Sequence, residues 1–173
     1  MSRGMPASRD FRAIIKVSFA GSLVHPFAGF RTPIMNVPTF ELRSIGCVES
    51  TLTALEDAPR QADEGAPAAS LIFKEEVRDG LANLRPGDQV IVLTWLDRAH
   101  RDVLVVHPRG DASRPREGVF STRSPHRPNP IGLHRVQVIA VDGLRVQVDH
   151  LEALNGTPIV DLKPVLAETI GER

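Results

Sequence analysis

The sequence predicts a mainly β chain, a single antiparallel β-barrel domain with one short helix. Three observations lead there. Short β-patterned runs recur along the chain, broken by turns that draw on its 13 Gly and 14 Pro. The pair Asp142-Gly143 lies between two such runs, which is the strongest short-range hairpin signal. No Gly-x-Gly-x-x-Gly follows a strand and no βαβ alternation occurs, so a Rossmann crevice is disfavoured. Many short strands with few helical segments close most readily into a barrel.

Taken in order, Leu42, Ile45, Cys47 and Val48 mark a strand within Glu41 to Ser50. Glu56 to Pro67 is rich in Pro, Gly and charge and reads as a loop. Ala69 to Phe73 is the next strand. Glu75 to Leu84 places Val77, Leu81 and Leu84 at helical spacing, with acids in the first turn and Arg85 at the end, so it is the short helix. Pro86-Gly87-Asp88 then turns into the continuous apolar run Val90 to Leu96, a buried central strand, with Val103 to His107 as its expected neighbour. Val136 to Val148 is a hairpin turning at Asp142-Gly143.

Composition narrows the function. At 173 residues one domain is the default, and 42% hydrophobic content supports a packed core. Lys plus Arg and Asp plus Glu balance at 21 each, which argues against holding RNA by bulk charge. Nucleic-acid contact would need a local patch, for which Arg109, Arg114, Arg116, Arg123, His126, Arg127, His134 and Arg135 are available; strand alternation would instead divide them between two faces. The single cysteine, Cys47, excludes an internal disulfide framework and a Cys-based zinc cluster, and its apolar setting reads as a buried, inert thiol. No metal ligands are assigned. Aromatic residues make up 5%, with Trp95 the single Trp and no Tyr, which weakens a base-stacking platform.

Residues 1–38 read as a poorly ordered extension or an upstream misassigned start, with Met35 just before the recognisable domain; the barrel occupies 39–167 and a tail 168–173. Arg12, Lys16 and His25 interrupt the moderately apolar stretch from Phe11 to Phe30, which therefore falls short of a membrane span or a signal peptide.

The chain is organised around Gly118 to Pro130, Gly-Val-Phe-Ser-Thr-Arg-Ser-Pro-His-Arg-Pro-Asn-Pro. Pro125, Pro128 and Pro130 fix φ, delete backbone donors and bias the preceding residues to extended conformations, so this is a stiff loop carrying polar groups, more often a site than a spacer. Together with the following Ile-Gly-Leu, with Asn155 to Pro164, and with Ile45 to Ser50 and Pro59-Arg60-Gln61 upstream, it resembles the TsaA-like/TrmO family over roughly Phe40 to Leu166.

The resemblance implies a β-barrel, S-adenosylmethionine-dependent methyltransferase that methylates N6 of threonylcarbamoyladenosine next to the anticodon of tRNA. It implies a cofactor site drawn from Pro59, Arg60, Gln61, Leu96, Asp97, Arg123, Leu133 and the segment Glu152, Ala153, Leu154, Asn155. In that site an Arg can take a carboxylate in bidentate fashion, and Glu152 can accept from a ribose hydroxyl or an ammonium. Arg127, Asn129 and Asp161 are the catalytic candidates, the first two as positioning groups, with Asp97, His126 and Asp161 as possible proton acceptors. It also implies a cytoplasmic homodimer with the tRNA anticodon loop as substrate and no membrane association. The chain departs from the family at Leu96-Asp97, at Glu152 to Asn155 and at Val165, where His-Gln, Asp-Leu-Val-Asp and Tyr are usual. Those changes keep open a methyltransferase acting on a small metabolite or another nucleoside, and a non-catalytic cofactor-binding barrel.

Overall fold

A computed structural model describes residues 41–59 and 62–166. The chain divides into two compact units between Arg43 and Ser44, and every described strand belongs to the second. The expected extension 1–38 and tail 168–173 lie outside the described residues.

Eight strands form in chain order: β1 Gly46–Glu49, β2 Ala69–Phe73, β3 Gln89–Trp95, β4 Val105–Val106, β5 Glu117–Gly118, β6 Ile131–Asp142, β7 Arg145–Val148 and β8 Pro158–Pro164. Six of them pair antiparallel in the order β1-β2-β7-β6-β3-β8, and β8 returns to β1, so the sheet closes on itself. The expected strand within Glu41 to Ser50 is shorter than predicted, and Ala69 to Phe73 is matched at both ends.

Valine dominates the interior. Val48, Leu71, Val90, Val92, Val136, Val138, Val146, Val148, Leu151 and Ile159 are all but sealed from solvent. On the strands, each such residue sits one position from an outward one, as the two-residue period requires. Burying a side chain of this size is worth roughly 1.5–3 kcal/mol, so the alternation is the main source of the barrel's stability. Two bulges adjust it. The β6–β7 register shifts between Val138 and Ala140, so both Val138 and Val141 meet inward residues of β7, Val148 and Val146. The β3–β8 register shifts between Leu93 and Thr94, which puts both Ile159 and Leu162 opposite inward residues of β3.

Four expectations need correction. The helix over Glu75 to Leu84 is a 3-10 segment, Glu75–Leu81, and no α-helix occurs among the described residues. Gly80 inside it and Pro86 just beyond disfavour the α geometry, and a tighter turn suffices to join β2 to β3. Val103 to His107 does not flank the central strand. Both edges of β3 are taken by β6 and β8, and β4 pairs instead with β5 in a separate ribbon. The hairpin turn is one residue later than expected: Asp142 pairs with Arg145 around Gly143-Leu144. Gly143 has φ 58° while Leu144 stays in the negative region, the pattern of a turn with Gly first. Cys47, finally, is exposed on the outside of β1. Partial burial and the neighbouring Glu49 still push its thiol pKa up, so it is poorly nucleophilic although it is not sealed in the core.

Candidate functional site

The chemistry-bearing residues gather where β3 ends, β6 begins and the segment 149–157 crosses the end of the barrel. Leu151, Ala153 and Leu154 plug that end with buried side chains, leaving Glu152 half-buried between them. Ala153 and Leu154, expected at the cofactor, therefore point into the core and can offer a ligand mainly backbone. Asn155 is held by its loop: Oδ1 accepts from Ser50 N at 3.2 Å and its own N–H donates to Leu52 O at 2.7 Å. Arg98, not anticipated from sequence, donates to Thr53 O at 3.3 Å and to Asn155 O at 3.5 Å, fastening the segment after β3 to this loop.

The proline loop enters through the 3-10 turn Val119–Ser121 with Val119 buried, and leaves through the sealed Pro130, whose carbonyl accepts from Leu96 N at 2.8 Å. Its prolines remove the N–H groups that would otherwise satisfy neighbouring carbonyls. Arg127 supplies the donors instead, Nε to Ser124 O at 2.8 Å and Nη2 to Thr122 O at 2.7 Å, and Nη2 adds a bond at 3.1 Å to Val119 O, which already accepts from Thr122 N and Oγ1. The guanidinium expected to meet substrate is thus a brace within its own loop. Asn129 gives its carbonyl to Ile131 N at 2.8 Å, and its amide has no protein partner among the described residues.

His126 Nδ1 accepts from His100 N at 3.0 Å, with the two rings 5.0 Å apart. A neutral ring that accepts at Nδ1 carries its proton on Nε2, so His126 presents a donor rather than the expected proton acceptor. Asp161 lies opposite Leu93, which lies opposite Leu133. Two strand spacings, roughly 10 Å, therefore separate it from Leu133. Its carboxylate accepts from Leu162 N at 2.9 Å and pairs with Lys163 at 2.8 Å. Asp97 is exposed, and its side chain has no protein partner among the described residues.

Arg123, Leu133 and Glu152 come together. Arg123 Nη2 donates to Leu133 O at 3.2 Å, and its charge acts on Glu152. Burial tends to raise the Glu152 pKa; the His134 ring beside it, its own backbone N–H and Arg123 outweigh that and leave it below the ordinary carboxylate value. Glu152 Oε2 is buried with no hydrogen-bond partner. Leu96 packs against the backbone of Gly132 nearby. Pro59 is half-buried, and Arg60 and Gln61 lie outside the described residues.

His134 was expected in a basic surface patch and is instead inside the barrel, 6% exposed, with Thr94 fully buried beside it. The signal was present: positions 132, 134, 136 and 138 share one face of β6 by strand period, and the last two are core valines. Alternation thus divides the patch, with Arg135 pointing outward to Gln89 Oε1 at 2.6 Å. Arg109 pairs with Glu64 at 3.5 Å and Arg114 with Asp111 at 3.6 Å, so the patch is also partly neutralised. Two open wall depressions, of about 210 and 280 Å³, are lined by Gln89, Arg135 and His150 and by Glu49, Ser70 and Gln147 respectively, and Glu152 lines neither.

The profile of the tRNA-methyltransferase O N-terminal domain matches residues 47–169. An S-adenosyl-L-methionine-binding protein of Archaeoglobus fulgidus is 42% identical over 70% of this chain and 86% of its own length. A second protein of that organism, a probable S-adenosyl-L-methionine-binding protein, is 43% identical over 72% of this chain, but the match spans only 33% of the relative. The crystal structure of TrmO from Pseudomonas aeruginosa superposes with a TM-score of 0.62 at 25% identity, covering 79% of this chain and 61% of that one.

Proposed function

Because the chain belongs to the family of tRNA-methyltransferase O N-terminal domains, we propose that it is an S-adenosylmethionine-dependent methyltransferase whose cofactor lies at the barrel end between Arg123, Leu133, Leu96 and Glu152. The observation that carries this is a half-buried carboxylate, one of its oxygens partnerless, within electrostatic reach of a guanidinium. Arg123 and Glu152 are electrostatic neighbours, and Glu152 Oε2 is buried without a hydrogen bond. That arrangement complements a zwitterionic amino-acid head group, with the guanidinium taking the carboxylate and the half-buried Glu152 carboxylate the ammonium. Leu133, 45% exposed, offers the apolar surface against which an adenine can pack.

S-adenosylmethionine supplies an activated methyl group on a sulfonium. The chain's own task is to orient the acceptor and exclude water. Arg127 does so indirectly, by fixing the shape of the loop that carries Arg123 and Asn129. The free amide of Asn129 is the group on that loop placed to hold an acceptor. Asp161, engaged by Lys163 and Leu162, contributes through β8, and Asp97 is the carboxylate left open to take a proton.

The acceptor in this reading is N6 of threonylcarbamoyladenosine beside the anticodon of tRNA, whose unstacked loop bases suit a site on loops. The protein works in the cytoplasm as a homodimer. A small-metabolite acceptor is the second reading, supported by the zero net charge and by the pairing of Arg109 and Arg114 with acids. The test is to incubate protein and methyl-labelled cofactor with tRNA from cells able or unable to make the threonylcarbamoyl modification. Label confined to the modified pool is expected. Equal labelling of both pools, or of neither, removes this acceptor, while calorimetry with the cofactor alone decides binding independently.

A further inference from the structure

A buried polar chain runs from inside the barrel to Glu152. Thr94 Oγ1 is 2.9 Å from His134 Nε2, and His134 Nδ1 is 2.9 Å from Glu152 Oε1. An imidazole among core valines is costly unless both nitrogens find partners. The backbone makes room for it: a Cβ on Gly132 would collide with Thr94 Oγ1 and lie 2.6 Å from His134 Nε2.

The contacts fix the proton positions. A ring nitrogen facing a carboxylate carries hydrogen, so Nδ1 is protonated, and in the neutral ring Nε2 accepts from the Thr94 hydroxyl. Oε1 thereby faces Nδ1 on the barrel wall, while Oε2 stays without a partner. The Nδ1 contact is at ion-pair distance but off hydrogen-bond alignment, so a small rotation of the carboxylate would complete it.

We propose that His134, backed by Thr94, is a positioning residue that holds the Glu152 carboxylate in place for the ammonium of the cofactor's amino-acid head group. It touches neither cofactor nor acceptor and acts only through the carboxylate. The inference rests on the cofactor site proposed above.

The test uses the full chain and two probes, S-adenosylhomocysteine and methylthioadenosine, which share the nucleoside but differ in the head group. His134→Gln keeps a polar terminus near Thr94 and leaves no atom at the Nδ1 position. It should weaken S-adenosylhomocysteine by about tenfold or more, the range of a charged hydrogen bond, and leave methylthioadenosine within about twofold. Placed on Glu152→Gln, the same change should add little, because the two residues act as one unit. His134→Asn, whose amide can occupy the Nδ1 position, should recover most of the discrimination. Equal losses for both probes, additivity with Glu152→Gln, or no recovery with Asn would overturn the proposal and make the ring purely structural. If Glu152→Gln itself keeps full affinity for S-adenosylhomocysteine, this inference falls and the cofactor site stands. If the unaltered protein binds neither probe, the site itself falls and this inference with it.

Discussion

Gly132→Ala is the sharpest test of how the barrel end is packed. An added Cβ would run into Thr94 Oγ1, approach His134 Nε2 to 2.6 Å and reach Leu96 Cδ2 at 3.2 Å. The first two do not yield easily: Thr94 is fully buried and β-branched, and the His134 ring sits between Thr94 and Glu152. Overpacking costs about 1–3 kcal/mol and losing the Thr–His hydrogen bond about 1 kcal/mol, giving a destabilisation of roughly 2–4 kcal/mol. For a domain of this size about 4 °C accompanies each kcal/mol, so the thermal midpoint should fall by roughly 8–16 °C. Urea unfolding followed by Trp95 fluorescence, alongside calorimetry, gives both numbers. Removing the obstructing oxygen with Thr94→Ala should make the double variant lose less than the sum of the single changes, with a coupling of about 1 kcal/mol or more. A Gly132→Ala midpoint within about 2 °C of the unaltered protein, or strict additivity, would refute the packing argument.

Arg127→Ala should cost roughly 1–2 kcal/mol, since the Thr122 and Ser124 carbonyls lose their donor in a half-exposed setting, while Val119 O keeps the Thr122 N–H and hydroxyl. Amide exchange and proteolysis across 119–131 should accelerate, and unchanged exchange would show that the prolines alone hold the loop. Arg123→Ala should weaken cofactor binding by about 1.5–3 kcal/mol in calorimetry, with Lys only a partial substitute because the planar fork is lost. Equal affinity in both variants would remove Arg123 from the site. The depressed pKa of Glu152 contributes stability that is complete above its ordinary value of 4.5 and is lost as pH falls through the lower folded-state value. Glu152→Gln should therefore flatten the acid limb of a stability–pH curve while leaving its shape near neutrality; an unaltered acid limb would contradict the pairing with His134.

What could be read from the chain tracked the range of each signal. Two-residue alternation is local, so β2, the hairpin and the core valines of β6 were legible. Pairing partners are not local: Val105 and Val106 look like any strand edge, and only the closing of β3 by β6 and β8 excludes them from the barrel. At the site, Arg123 and Glu152 were recognisable through motifs. The motifs could not tell a contact group from a brace. Arg127 bonds its own loop because the prolines around it leave carbonyls without donors, a consequence of three-dimensional satisfaction that no spacing records. His134 was legible and misassigned: its charge suggested surface, whereas its parity with Val136 and Val138 placed it inside.

The closed pairing order also bears on how the protein is made. β1 joins β8 through Gly46 opposite Ile159, so the first barrel strand waits for the last. Contacts this distant along the chain must overcome loop-closure entropy before they reward it, which makes seam formation slow. During translation, one side of β1 stays an open edge until β8 has left the ribosome, and a strand from another nascent chain can occupy it first. The fold's weakest moment thus precedes its completion, at a seam that the finished barrel no longer exposes.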